Sequence, residues 1–164
     1  MFTLRDYRPE DFEALWRLDQ SCFAQGISYT PAELHYYISR SSSFTVLAQE
    51  KQDLLGFLIA DQSPRGFGHI ITIDVDPKQQ RKGIGTALMK AAEERLEKAG
   101  CKSILLETAV DNLSALSFYK AHGYSVLKSL PRYYLNSVDG LQMGKRIGLE
   151  KVPSKSRRTS RSEA

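Results

Sequence analysis

Hydrophobic and polar residues alternate in two distinct rhythms along this chain. A period of two runs through Phe2 to Tyr7 and predicts a strand. Pro9-Glu10-Asp11 then opens a helix with acidic first-turn residues, and its apolar stripe is Phe12, Leu15 and Trp16, reaching toward Phe23. Ala24 to Tyr29 reads as a loop. Thr30-Pro31-Ala32-Glu33 is a capping box with proline at the first helical position, so a short helix follows through Leu34, Tyr37 and Ile38. Phe44–Gln49 and Leu54–Ala60 are apolar runs on either side of a polar turn, a predicted hairpin. His69–Asp76 is a β-branched strand ended by Pro77. Ile84–Ala99 repeats apolar residues at helical spacing and stops at Gly100. Lys102–Ala109 predicts a strand, Asn112–His122 a helix closed by Gly123, and Tyr124–Leu130 with Leu141–Ile147 a last strand pair. The order βααβββαβαββ predicts an α/β (α+β) fold: a mixed sheet with helices on its faces.

Composition narrows the functional classes. The chain has 164 residues, 41% of them hydrophobic and 26% charged, which suits one soluble domain. No apolar run approaches a membrane span, and Met1–Asp6 lacks the basic start and apolar stretch of a signal peptide, so a cytoplasmic protein with no membrane partner is expected. The net charge of +4 resides in the tail. Residues 1–150 hold 18 basic and 18 acidic side chains, whereas 151–164 hold five basic ones against Glu163 alone. A domain over 1–148 followed by a basic, disordered tail over 149–164 is therefore expected. The tail reads either as a solvated end or as a weak electrostatic arm toward nucleic acid or the ribosome. Two distant cysteines, Cys22 and Cys101, and three scattered histidines give no metal spacing and no disulfide framework.

Candidate chemistry concentrates in Val75-Asp76-Pro77-Lys78-Gln79-Gln80-Arg81-Lys82-Gly83-Ile84-Gly85-Thr86. Here a strand ends and a helix begins across a basic, glycine-bearing turn. Helix N-termini offer unpaired N–H groups and the positive end of a dipole, so the turn suits a phosphate or pyrophosphate. It is neither a Walker loop nor a dinucleotide fingerprint. The alternative is a plain strand-to-helix turn with glycines placed for their backbone freedom.

Gln80-Arg81-Lys82-Gly83-Ile84-Gly85 resembles the acetyl-CoA motif of the GNAT superfamily of N-acetyltransferases. Asn112-Leu113-Ser114-Ala115-Leu116-Ser117-Phe118-Tyr119-Lys120-Ala121-His122-Gly123-Tyr124 resembles a second block of that superfamily, and the order of elements matches its fold over about residues 1–148. The resemblance implies splayed central strands that receive acetyl-CoA. Backbone near Ile73 and Val75 would pair with the pantetheine arm. The stretch Arg81, Lys82, Gly83, Ile84, Gly85 and Thr86 would take the pyrophosphate, and Asn112 would hydrogen-bond the arm. No metal is implied.

Within the superfamily the chain looks most like ribosomal-protein alanine and archaeal N-terminal acetyltransferases. There a glutamate at the position of Glu107 serves as base and a tyrosine at the position of Tyr119 as acid. On residue chemistry alone, Glu107 can equally be a strand-end carboxylate and Tyr119 a packing residue. Pro131–Met143 resembles the family loop that grips a peptide N-terminus, which makes Tyr133 and Tyr134 candidate acceptor contacts; a plain hairpin pair is the alternative. Tyr29 lies in a loop that borders the acceptor groove in the family. Asp74 departs from the small residues common there. The expected reaction is direct acetyl transfer to a primary amine, the α-amine of a protein or peptide being favoured. The alternatives are a small-molecule or lysine amine, or a noncatalytic acyl-CoA-binding module.

Overall fold

The computed structural model describes residues 1–24, 27–134 and 137–148. The basic tail, with its expected disorder and its nucleic-acid or ribosome contact, lies outside the described residues. Seven strands form one sheet: β1 (Thr3–Asp6), β2 (Ser43–Glu50), β3 (Asp53–Gln62), β4 (Phe67–Val75), β5 (Ser103–Ala109), β6 (Ser125–Leu130) and β7 (Gly140–Arg146). The helices are α1 (Phe12–Cys22), α2 (Pro31–Ser39), α3 (Ile84–Lys98) and α4 (Leu113–Ala121). The mixed α/β architecture and its element order agree with the reading of the sequence. Pro9–Asp11 forms a 3₁₀ turn ahead of α1 rather than its first turn, and Phe23 caps α1 in extended conformation instead of continuing its stripe.

Strand order is β1-β2-β3-β4-β5-β7-β6. Every pair is antiparallel except β4 with β5. Apolar residues fill both faces of the sheet, so there are two cores. Val46, Leu58, Ala60, Ile70, Ile104 and Leu106 pack with Leu88, Met89 and Leu96 of α3 and with Tyr119 of α4. Leu47, Phe57 and Ile59 pack with Leu15 and Leu18 of α1 and Leu34 of α2. The Thr30 capping box is present: Thr30 Oγ1 accepts from Glu33 N–H, and Glu33 accepts from Thr30 N–H.

Two irregularities position the site. The parallel β4–β5 ladder pairs only Phe67–His69 with Ser103–Leu105, and beyond His69 the two strands are unpaired with each other. The second is a bulge in β4. Ile59 opposes Thr72 while Ala60 opposes Ile70, so Ile71 is the extra residue. A bulge of one residue reverses the facing of everything after it. Ile70 accordingly faces the α3 core and Ile71 the α1–α2 core. Asp74, which an unbroken alternation would aim at α3, instead reaches Asp19 of α1.

Candidate active site at the splayed strands

The gap between β4 and β5 exposes backbone that no strand satisfies. Asp76 N–H donates to Leu55 carbonyl at 2.9 Å, so Asp74 and Asp76 direct their peptide groups toward β3. Strand alternation then turns the peptide groups of Ile73 and Val75 into the gap. An extended ligand arm could pair there as an added strand. The Val75 carbonyl already accepts from Cys22 Sγ at 3.4 Å, which leaves its N–H as the donor facing the gap.

At the end of β4, the turn Arg81–Thr86 leads into α3. Gly83 is the N-cap at φ 83° and provides no side-chain cap. The first-turn N–H groups of Ile84, Gly85 and Thr86 thus have no helical acceptor, and they sit at the positive end of a 15-residue helix. Gly85 has a different constraint. A Cβ there would lie 3.1 Å from the Phe118 ring of α4, so that ring would have to give way by a few tenths of an ångström. Any substitution of Gly85 therefore tests packing along with anion binding. Arg81 and Lys82 are exposed and give the cleaner test. Double reversal, Arg81→Glu with Lys82→Glu, is expected to weaken acetyl-CoA binding about tenfold, roughly 1.4 kcal/mol, with the loss shrinking as salt screens the charges. Calorimetric titration at two salt concentrations checks it, with the melting temperature unchanged.

Asn112 caps α4, and its Oδ1 accepts from Ala115 N–H at 3.1 Å. Its acceptor is thereby committed to the helix. The side-chain N–H₂ is the group left for a ligand.

Glu107 and Tyr119 project from elements that flank the gap. Glu107 is largely buried, its side chain 17% exposed, and its Oε1 lies 2.6 Å from His69 Nε2. The ring thus holds the carboxylate in one orientation. His69 was not among the residues singled out from sequence; 38 positions separate it from Glu107, and only the β4–β5 pairing brings them together. Tyr119 is 8% exposed, and its ring stands edge-on to Phe118 and Tyr124. Burial, then the nearby Asp74 charge, holds its phenol well above the ordinary value, so it stays protonated.

Aromatic residues wall the α1–α2 side of the gap. Tyr29 is pinned at three points. Its N–H donates to Asp19 Oδ2 at 2.8 Å, its hydroxyl donates to the Ile71 carbonyl at 3.2 Å, and its carbonyl accepts from Trp16 and Gln20. Its hydroxyl proton is committed to β4, so the ring and the hydroxyl lone pairs are what it offers a ligand. Tyr29 packs against Tyr37 with centroids 5.4 Å apart. Tyr133 and Tyr134 stand at right angles, 5.0 Å apart, in the loop before β7. Burial raises both phenols, and the Glu107 charge adds to the rise, which places both rings near that carboxylate. Tyr133 is half exposed at the rim. Tyr36 points mostly to solvent, while Tyr37 is the ring of that pair that packs inward.

Comparison with known proteins places this arrangement. N-alpha-acetyltransferase 30 of Xenopus laevis is 35% identical over 119 residues, which are 70% of this chain and 44% of that protein. The chain thus spans less than half the length of that relative. N-alpha-acetyltransferase 30 of Schizosaccharomyces pombe is 29% identical across 87% of this chain and 96% of its own length. The crystal structure of Ard1 from Thermoplasma volcanium superposes with a TM-score of 0.81 at 29% identity, covering 91% of this chain and 99% of that one. The profile of the acetyltransferase (GNAT) family matches residues 12–124, the stretch that holds the splayed strands, the glycine turn and α4, and the chain belongs to that family.

Proposed function

We propose that the chain is an acetyl-CoA-dependent N-acetyltransferase whose acceptor is the α-amine of a peptide or protein N-terminus. The observation that supports this most is the placement of one oriented carboxylate, Glu107, and one protonated phenol, Tyr119, beside a gap lined by unpaired backbone. The names of the N-alpha-acetyltransferase relatives favour an α-amine. The half-exposed Tyr133 at the rim favours an acceptor that extends out of the groove.

In this reading acetyl-CoA enters as substrate, its pyrophosphate on the Arg81–Thr86 turn and its arm along Ile73 and Val75. Glu107 takes a proton from the incoming ammonium, directly or through one water, and the amine becomes a nucleophile. The nitrogen attacks the thioester carbonyl carbon. The Val75 N–H faces the oxygen that gains charge. The carbon–sulfur bond breaks, Tyr119 gives its proton to the departing thiolate, and the acylated nitrogen gives up its second proton, which restores the phenol. A C–N bond has replaced a C–S bond, and no redox partner is needed. Tyr29, Tyr133 and Tyr134 would border the acceptor's first residues.

The reading is tested by measuring CoA release with a panel of short peptides that differ in their first two residues. Turnover on some of them, abolished when the α-amine is blocked, is expected. Release only with free small amines would overturn the assignment of the acceptor.

We also propose that residues 149–164 are dispensable for this reaction. A chain ending at Gly148 is expected to keep its turnover on a short peptide within about twofold, since the catalytic groups all lie before it. Steady-state kinetics of the shortened chain is the check.

A further inference from the structure

Two carboxyl groups meet beneath the acceptor groove, and among the described residues no Lys, Arg or His side chain acts on either of them. Asp19 of α1 is 0% exposed and Asp74 of β4 is 1% exposed. Each holds one donor: Tyr29 N–H at 2.8 Å on Asp19 Oδ2, and Thr72 Oγ1 at 2.6 Å on Asp74 Oδ1. The two carboxyls lie close enough to act on each other, and each leaves one buried oxygen, Asp19 Oδ1 and Asp74 Oδ2, without a hydrogen-bond partner among the described residues.

Two carboxylate ions cannot hydrogen-bond to each other, because each offers only lone pairs. Like charges in contact without water are also strongly unfavourable. The groups that face the pair are all acidic or neutral. Cys22 comes from α1, its thiol pushed up to about 12 by burial and then by Asp74. Tyr29 comes from the α1–α2 loop, Glu33 from α2 and Tyr119 from α4, while Asp76, just past β4, acts on Cys22. Among the described residues no cationic side chain faces the pair, and a proton on the pair itself neutralises one of its charges.

We infer that Asp19 and Asp74 share one proton, and that this acid–carboxylate bond is a latch that holds the α1–α2 loop, and Tyr29 with it, against β4 as the inner wall of the acceptor groove. The two aspartates are positioning residues. Asp19 fixes the backbone of Tyr29, and Asp74 fixes Asp19 to the strand that follows the Ile71 bulge. The functional consequence rests on the reading of this groove as the acceptor site; the shared proton does not.

The pair titrates as a unit, and burial raises it. A raised group binds its proton in the folded chain at pH values where the unfolded chain, near pKa ~3.9, has lost it. The stabilisation is full below that value and falls as pH rises, by ~tenfold in the folding constant per pH unit, until the shared proton leaves. Loss of the proton sets two adjacent buried charges against each other and frees the loop.

The test uses the full chain, its Asp74→Asn variant and its Asp74→Ala variant. Asparagine can donate N–H to the Asp19 carboxylate, so it keeps the bond without a titrating proton. Urea unfolding and amide exchange at Tyr29, corrected for intrinsic exchange, are followed from about pH 5 to 9. In the wild type, stability and Tyr29 protection are expected to fall together as pH rises. In Asp74→Asn both are expected to stay flat. In Asp74→Ala, Tyr29 protection is lost throughout while amides of α3 stay protected, and peptide KM rises about tenfold with acetyl-CoA KM unchanged. Parallel pH profiles for wild type and Asp74→Asn would overturn the shared proton. Undiminished Tyr29 protection in Asp74→Ala would overturn the latch. If Asp74→Ala does not fold, the Asp74→Asn comparison still decides. Exchange and unfolding need no acetyl transfer, so they read the latch even if the acceptor has been assigned wrongly.

Discussion

Replacing Glu107 with glutamine is expected to lower kcat/KM by about 10²-fold near neutral pH, the lower end of the range for general acid–base groups. Glutamine keeps the shape, and its carbonyl can still accept from the His69 ring, whose contact with Glu107 is 2.6 Å. What it loses is the ability to take a proton. A free α-amine has pKa ~8, so part of it is already neutral near neutrality, and more becomes so as pH rises. The defect should therefore shrink at alkaline pH. A lysine amine, at pKa ~10.4, should suffer more from the same substitution if it is accepted at all. The measurement is kcat/KM against pH for both proteins on one peptide. Profiles offset by a constant factor would assign Glu107 a positioning role and move the base to a bound water.

Tyr119→Phe should cut kcat by about 10²-fold while acetyl-CoA affinity changes little. The phenylalanine ring fills the same space against Phe118 and Tyr124, so folding should be preserved. Among the described residues the Tyr119 hydroxyl makes no hydrogen bond that its removal would leave broken. Burial keeps the phenol protonated far into the alkaline range, so the wild-type acid function should show no alkaline loss of its own. Single-turnover kinetics isolates the chemical step. Wild-type rates in the phenylalanine protein would make Tyr119 a packing residue.

Local chemistry was legible where neighbours in sequence are also neighbours in space. The Thr30–Glu33 capping box, the glycine stop after α3 and the basic turn before it are all local, and all stand in the structure. The Arg81–Thr86 turn could be read because strand, glycine and helix follow one another within a dozen residues. Gly85 was legible as a place of close approach, but not that the approaching group includes Phe118, since α4 lies 33 positions away. His69 was legible only as the entry of a strand, with nothing to tie it to Glu107. Its relation to Glu107 depends on which residues the parallel β4–β5 ladder sets side by side. Asp74 stood out from sequence only as an unusual residue. Its partner could not be read, because the bulge at Ile71 reverses its facing and nothing in the β-branched run His69–Asp76 announces a bulge. Asn112 was readable both as a helix cap and as a ligand contact, and the structure shows the cap taking its oxygen.

The central claim, acetyl transfer to an α-amine, is tested most directly by locating the transferred group. A peptide with a free N-terminus and an internal lysine is incubated with acetyl-CoA and the full chain, and the product is fragmented in a mass spectrometer. A single acetyl group on the first residue, absent from the Glu107→Gln reaction over the same time, is the predicted result. Acetyl on the lysine side chain with the α-amine untouched would contradict the account.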